Sequence, residues 1–127
     1  MMGRAATLAI AMAVTFVMMR GYLHLSPNTD LTVAGYDIHH LFTGLILITL
    51  GGIAAVVIPP AHRHAPTAVT VFGVGLALAL DEWLYLIVTD GTNASYLLPI
   101  SFWGGFAAVM LAVVYSLALS WRYTNNT

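Results

Sequence analysis

The residues that could do chemistry are few and close together in type. The chain has 127 residues, of which four are Arg, none Lys and five Asp or Glu. Asp37-x-x-His40 sets a carboxylate and an imidazole about one helical turn apart, and Asp81-Glu82 offers two adjacent carboxylates. His39 and His24 add two further imidazoles, and Arg20 a guanidinium. Helix-bundle metal sites are built from such sets, with carboxylates and a carboxylate-x-x-His pair projecting inward from neighbouring helices. The expected ligands are therefore His40, His39, Asp37, Asp81, Glu82 and His24. With neutral histidines, Asp37, Asp81 and Glu82 outweigh Arg20, and one divalent cation would balance them. Mixed imidazole and carboxylate ligation suits zinc first, then iron or manganese, and the absence of Cys argues against copper(I). Adjacent helical residues diverge by about 100°, so His39 and His40 do not both point inward. His40 is favoured, because it shares a helical stripe with Gly44 and Gly51.

Such a metal with an open position would activate a water, with Glu82 or Asp37 as general base. Arg20 would hold a phosphate or carboxylate, or stabilise an oxyanion. Hydrolysis of a lipid or other amphipathic substrate is the reaction class that this inventory suits. Two alternatives stay open. Arg20 paired with Asp81 or Glu82 makes a structural salt-bridge network. A chain of His and carboxylates also makes a proton or ion pathway. That pathway needs polar groups at both ends of the bundle, and the far half offers hydroxyls such as Thr15, Ser116 and Ser120 but no charge.

The elements that must position these groups are apolar. Hydrophobic residues make up 60% of the chain and Asp, Glu, Lys and Arg only 7%, too few to build a water-facing surface. Four Arg and no Lys form no basic patch, which excludes nucleic-acid binding. Without Cys there is no disulfide framework, CxxC chemistry or thiolate metal site. A spanning helix needs about 20 mostly apolar residues. Four stretches qualify: Ala5 to Leu25, Tyr36 to Ile58, Ala68 to Val88 and Leu97 to Trp121. Ser26-Pro27-Asn28-Thr29-Asp30, Pro59-Pro60 with Pro66, and Asp90-Gly91-Thr92-Asn93 break them. The first stretch lacks a clear small-residue cleavage site and reads as a retained helix.

The expected architecture is all-α: one four-helix transmembrane bundle over residues 1–127, embedded in the lipid bilayer of the cell membrane. Arg4, Arg63 and Arg122 fall on one side with both termini, which the positive-inside rule makes cytoplasmic. Small residues at helical spacing mark the packing faces. These run Ala6, Ala9, Ala13, Val17, Arg20, His24 in the first helix and Ala55, Gly51, Gly44, His40, Asp37 in the second. Gly73, Ala77, Asp81, Tyr85 mark the third, and Ala112, Ala108, Gly105, Ser101 the fourth. At 1.5 Å per residue, Arg20, His40 and Asp81 share a depth roughly 6 to 11 Å below the outer helix ends. A bundle this small is expected to offer a further small-residue face to a copy of itself, a homo-oligomer.

The stretch Asp37-Ile38-His39-His40-Leu41-Phe42-Thr43-Gly44, followed by Leu80-Asp81-Glu82-Trp83, resembles small prokaryotic integral membrane proteins. These carry a His-His pair before Gly and a later Asp-Glu pair. The resemblance covers the second and third spans and implies that the two pairs act together. Other residues read as structural. His62 and His64 suit a solvated turn, Asp30 and Asp90 loops or caps, Trp83 and Trp103 interfacial anchors, and the Met residues of the first span lipid-facing packing. Tyr85, one turn from Asp81, suits a hydrogen bond to a ligand.

Overall fold

The structure, a computed structural model, describes residues 3–125. Its elements are α1 (Arg4–Leu25), β1 (Thr32–Val33), β2 (Tyr36–Asp37), α2 (His40–Val57), α3 (Ala65–Val88), α4 (Asn93–Tyr96) and α5 (Pro99–Thr124). Four of these, α1, α2, α3 and α5, are long and apolar enough to cross a bilayer. Their outward surface agrees: Leu25, Val56, Ile87, Leu111 and Trp121 are each more than two-thirds exposed. Apolar exposure on this scale is unfavourable in water and ordinary against acyl chains.

The helices alternate in direction, and α3 is the central one, packing against α2, α1 and α5. Among the described elements, helix α2 packs its backbone against α3 alone, and along this seam the two approach closely. A Cβ at Gly44 would lie 2.7 Å from the Gly75 carbonyl oxygen, and one at Gly75 the same distance from that of Gly44. A Cβ at Gly51 would fall onto the Phe72 backbone. Only glycine permits this approach, which is how membrane helices pack without a hydrophobic drive. One turn before Gly44, the seam ends at His40, level with Asp81 on α3.

A buried hydrophobic cluster of Met12, Phe16, Ala77 and Val109 lies beside this seam, between α1, α3 and α5. Two expectations change here. The buried face of α1 runs Ala9, Met12, Phe16, Arg20, while Ala13 is exposed and Val17 is 68% exposed. Met12 is fully buried, not lipid-facing. Arg20 stands eight residues from Met12 and four from Phe16, so the same face fits either small or large residues. The small ones do not dominate, because α1 meets its neighbours through the bulk of Phe16 and Met12.

The second span begins later than expected. Ala34 (φ 52°) and Gly35 (φ 83°) form a two-residue turn with positive φ at both positions, the geometry that suits a tight antiparallel hairpin. Thr32 pairs with Asp37 and Val33 with Tyr36. Asp37 therefore sits on a strand, not on the helix that carries His40, and the expected one-turn pairing of the two does not form. His39 is the extended residue that precedes α2.

Candidate functional site

The polar residues gather at the end of the bundle remote from Arg4 and Thr124. Arg20, three-quarters of the way along α1, reaches across to α3. Its Nε donates to Asp81 Oδ1 at 2.6 Å, with side chains 7% and 1% exposed. Its Nη1 donates to the Tyr96 carbonyl at 3.0 Å, and Nη2 to the carbonyls of Asp81 (3.2 Å) and Ser101 (3.0 Å) and to Ser101 Oγ (3.2 Å). The guanidinium also lies 4.0 Å from the centre of the Tyr96 ring. A buried ion pair survives only when its remaining donors and acceptors are met, and here α1, α3, α4 and α5 all contribute. Gly105 backs the pair: a Cβ there would stand 2.8 Å from Asp81 Oδ1.

Asp81 is met from its other side too. Its Oδ2 accepts from the Tyr96 hydroxyl at 2.5 Å and lies 2.9 Å from His40 Nε2. Tyr96 reaches it because the loop before α5 is well capped. Asp90 Oδ1 accepts from the Ser95 hydroxyl and from the Thr92 amide and hydroxyl, and the Thr92 hydroxyl caps α4 through the Ser95 amide. The Ser95 hydroxyl foremost, then the Thr92 amide, holds the Asp90 carboxyl below its usual value. Burial, and then the Asp81 charge, pushes the Tyr96 phenol well above its usual value.

Glu82, the next residue on α3, serves α2 instead. Its Oε2 accepts from the Leu41 amide at 2.8 Å, one of the amides that the first turn of α2 leaves free. Its Oε1 stands 3.3 Å from His40 Nδ1 and 3.5 Å from His39 Nδ1. Asp37 Oδ2 is 3.9 Å from His39 Nε2. Both imidazoles thus have a carboxylate near Nε2 and share Glu82 Oε1 near Nδ1.

These groups face a cavity of about 260 Å³. Asp30, Asp37, Glu82, His39 and His40 belong to its polar lining with Thr29 and Asn93, and Met19, Leu23, Ile38 and Leu97 form part of its apolar wall. Tyr22, Tyr85 and Tyr96 also line it, and no Arg does. Across its rim, Asn93 Nδ2 donates to Asp30 Oδ1 at 2.9 Å.

Of the residues nominated from sequence, Asp37, His39, His40, Asp81 and Glu82 come together, in an order that differs from a common ligand shell. Asp81 turns toward Arg20, Tyr96 and His40 Nε2. His24 is exposed at the end of α1 and does not line the cavity. Arg20, nominated to hold an anion, lies behind the cavity with its guanidinium bound to protein acceptors. Tyr85 donates to the Thr92 carbonyl at 2.9 Å, not to a site carboxylate. Tyr96, which the sequence reading does not nominate for the site, takes the role expected of Tyr85. Among the described residues, no group of three or more His, Asp or Glu side chains stands ready-made around a metal position. No protein-family model, curated protein or solved structure matches the chain.

Proposed function

We propose that this is a multi-pass membrane protein that binds a small cation in the cavity at the polar end of its bundle. The observation that carries the reading is the lining: Asp30, Asp37 and Glu82 border about 260 Å³ with no Lys or Arg among them. Arg20 and Asp81 balance each other, so the charges of Asp37 and Glu82 are left for a guest. A cavity with low-dielectric walls strengthens that selectivity, since field lines concentrate within it. Tyr22 and Tyr85 also line the cavity, and the Tyr96 ring already has the Arg20 guanidinium over it. With Arg4, Arg63 and Arg122 on the cytoplasmic side, the cavity opens outward, and the guest comes from outside the cell membrane. Arg20 is engaged within the protein, so no cationic side chain lines the cavity to hold an anionic substrate or an oxyanion, and the reading is one of binding.

Two sources of positive charge fit: a metal ion and a small organic ammonium. The test is thermal unfolding of the detergent-purified protein with Zn²⁺, Mn²⁺ or tetramethylammonium chloride, at matched ionic strength. At 100 times Kd a bound guest stabilises by about 2.7 kcal/mol. Glu82→Gln keeps an oxygen for the Leu41 amide while removing the charge, and should abolish the gain. If no cation stabilises the wild type more than this variant, the reading fails.

A further inference from the structure

The size and lining of the cavity narrow the class of guest. Its volume of about 260 Å³ is that of roughly eight or nine waters at about 30 Å³ each, far more than a bare ion fills. The wall is amphipathic. Met19, Tyr22 and Leu23 share one face of α1 at the three- and four-residue spacing. Ile38 and Leu97 add aliphatic surface from the segments just before α2 and α5. Concave sites of this kind, mostly apolar with a few placed polar groups, are suited to organic molecules.

The carboxylates are arranged to accept N–H bonds, not to coordinate. Glu82 lines the cavity although its side chain is only 4% exposed. Its Oε2 accepts from the Leu41 amide at 2.8 Å, while the His39 and His40 Nδ1 atoms stand 3.5 and 3.3 Å from Oε1 without hydrogen-bond alignment. Those imidazoles converge on that oxygen and not on a vacant position, so among the described residues no coordination shell awaits a metal ion. A carboxylate has about four lone-pair sites, which leaves Glu82 able to accept from a guest. Asp37 is half-exposed and, at 3.9 Å from His39 Nε2, too far for a hydrogen bond to that ring, so its oxygens are open as well.

The aromatic rings argue against a quaternary ammonium, which is recognised by a cage of ring faces. Here the Arg20 guanidinium lies 4.0 Å from the centre of the Tyr96 ring, and Tyr85 is packed T-shaped with both His39 and Tyr96. Carboxylates are the groups left to hold the charge, and they favour a cation that carries N–H donors. Resting on the cation-binding reading, we propose that the guest is an organic amine in its protonated form. Its ammonium N–H groups donate to Glu82 and Asp37, and its alkyl or aryl-alkyl body lies against Met19, Leu23, Ile38 and Leu97.

The test follows the Tm of the detergent-purified protein against graded concentrations of each probe, which yields its Kd. The probes are 2-phenylethylammonium, methylammonium, the N-trimethylated form of 2-phenylethylammonium, neutral 2-phenylethanol, Zn²⁺ and Mn²⁺. 2-Phenylethylammonium should bind at least about 10-fold more tightly than methylammonium, because its ring leaves water. It should also exceed the trimethylated form at least about 10-fold, since that form has no N–H to donate. Glu82→Gln and Asp37→Asn should each weaken it about 10-fold or more. Leu23→Trp, which fills part of the apolar wall, should weaken 2-phenylethylammonium and leave methylammonium unchanged. If methylammonium, the trimethylated form or a metal ion binds as tightly as 2-phenylethylammonium, the amine proposal falls and the cation reading stands. If 2-phenylethanol matches the amine, charge plays no part in its binding and the proposal also falls. If no cation stabilises the wild type more than Glu82→Gln, the cation reading falls with it. Should Glu82→Gln fail to fold, Asp37→Asn on the half-exposed hairpin decides by the same comparison.

Discussion

Arg20 and Asp81, sixty-one positions apart, join two helices through a 2.6 Å bond from Nε to Oδ1. The same two residues gather acceptors and donors from Tyr96, Ser101 and His40, so nearly every element at the polar end touches the pair. Arg20→Met should cost about 3–5 kcal/mol, because it leaves Asp81 buried and uncompensated. Arg20→Lys should recover little, since a point charge does not replace a planar fork that reaches several acceptors. Unfolding by SDS titration measures both. A loss below about 1 kcal/mol for Arg20→Met would mean the pair contributes little.

Gly105→Ala tests the same pair from behind. Its Cβ would lie 2.8 Å from Asp81 Oδ1 and 3.1 Å from Arg20 Nη2. Overpacking of this kind costs about 1–3 kcal/mol. Gly21→Ala, with no heavy atom within 4 Å of the new Cβ, should be neutral or gain up to about 1 kcal/mol through helix propensity. Gly105→Ala should therefore unfold more easily than Gly21→Ala in one unfolding assay.

Tyr96→Phe removes the hydroxyl that donates to Asp81 Oδ2 and keeps the ring against Arg20 and His40. The expected loss is about 1–3 kcal/mol, the cost of leaving a buried acceptor short of a partner. The pH dependence follows from the raised phenol. Tyr96 favours the folded state fully below its ordinary value of 10.0, and this contribution is lost as pH rises from there toward the folded-state value. The decline in wild-type Tm above that pH should therefore be shallower in Tyr96→Phe. Equal slopes would show that the Tyr96 phenol does not drive it.

Asp30→Ala breaks the bond from Asn93 across the cavity rim. Exposed polar contacts contribute at most about 1 kcal/mol, so global stability should hardly change. The local effect should be larger. Ile38 donates its amide to the Leu31 carbonyl at 2.8 Å, and hydrogen exchange at that amide should quicken as the hairpin loosens. Unchanged exchange would show that the Asn93 bond does not hold the rim.

The helices were legible because a bilayer-crossing segment needs only length and apolarity, and Pro and Gly mark its breaks. Gly44 and Gly51 were legible as a packing face for the same reason, since only a missing side chain permits the α2–α3 approach. That Arg20, His40 and Asp81 meet at one end followed from their similar distances from the helix ends. Which atom meets which did not. Asp81 and Glu82 diverge by about 100° around α3, which sends one toward Arg20 and the other toward α2. Only the placement of α1 and α2 against α3 decides that division. Tyr96 gave no periodic signal, because it stands in a single helical turn whose direction the Asp90, Thr92 and Ser95 hydrogen bonds set. The sequence reads Asp37 onto a helix because no Pro or Gly separates it from the apolar run that begins at Leu41, whereas the positive φ of Ala34 and Gly35 folds that stretch back into a hairpin. Composition and spacing determine the four long apolar helices and the positions along them at which their charges lie, since both depend on local chain geometry alone. The pairing of those charges, and the cavity they line, depend on how helices rotate against one another, which only tertiary packing decides.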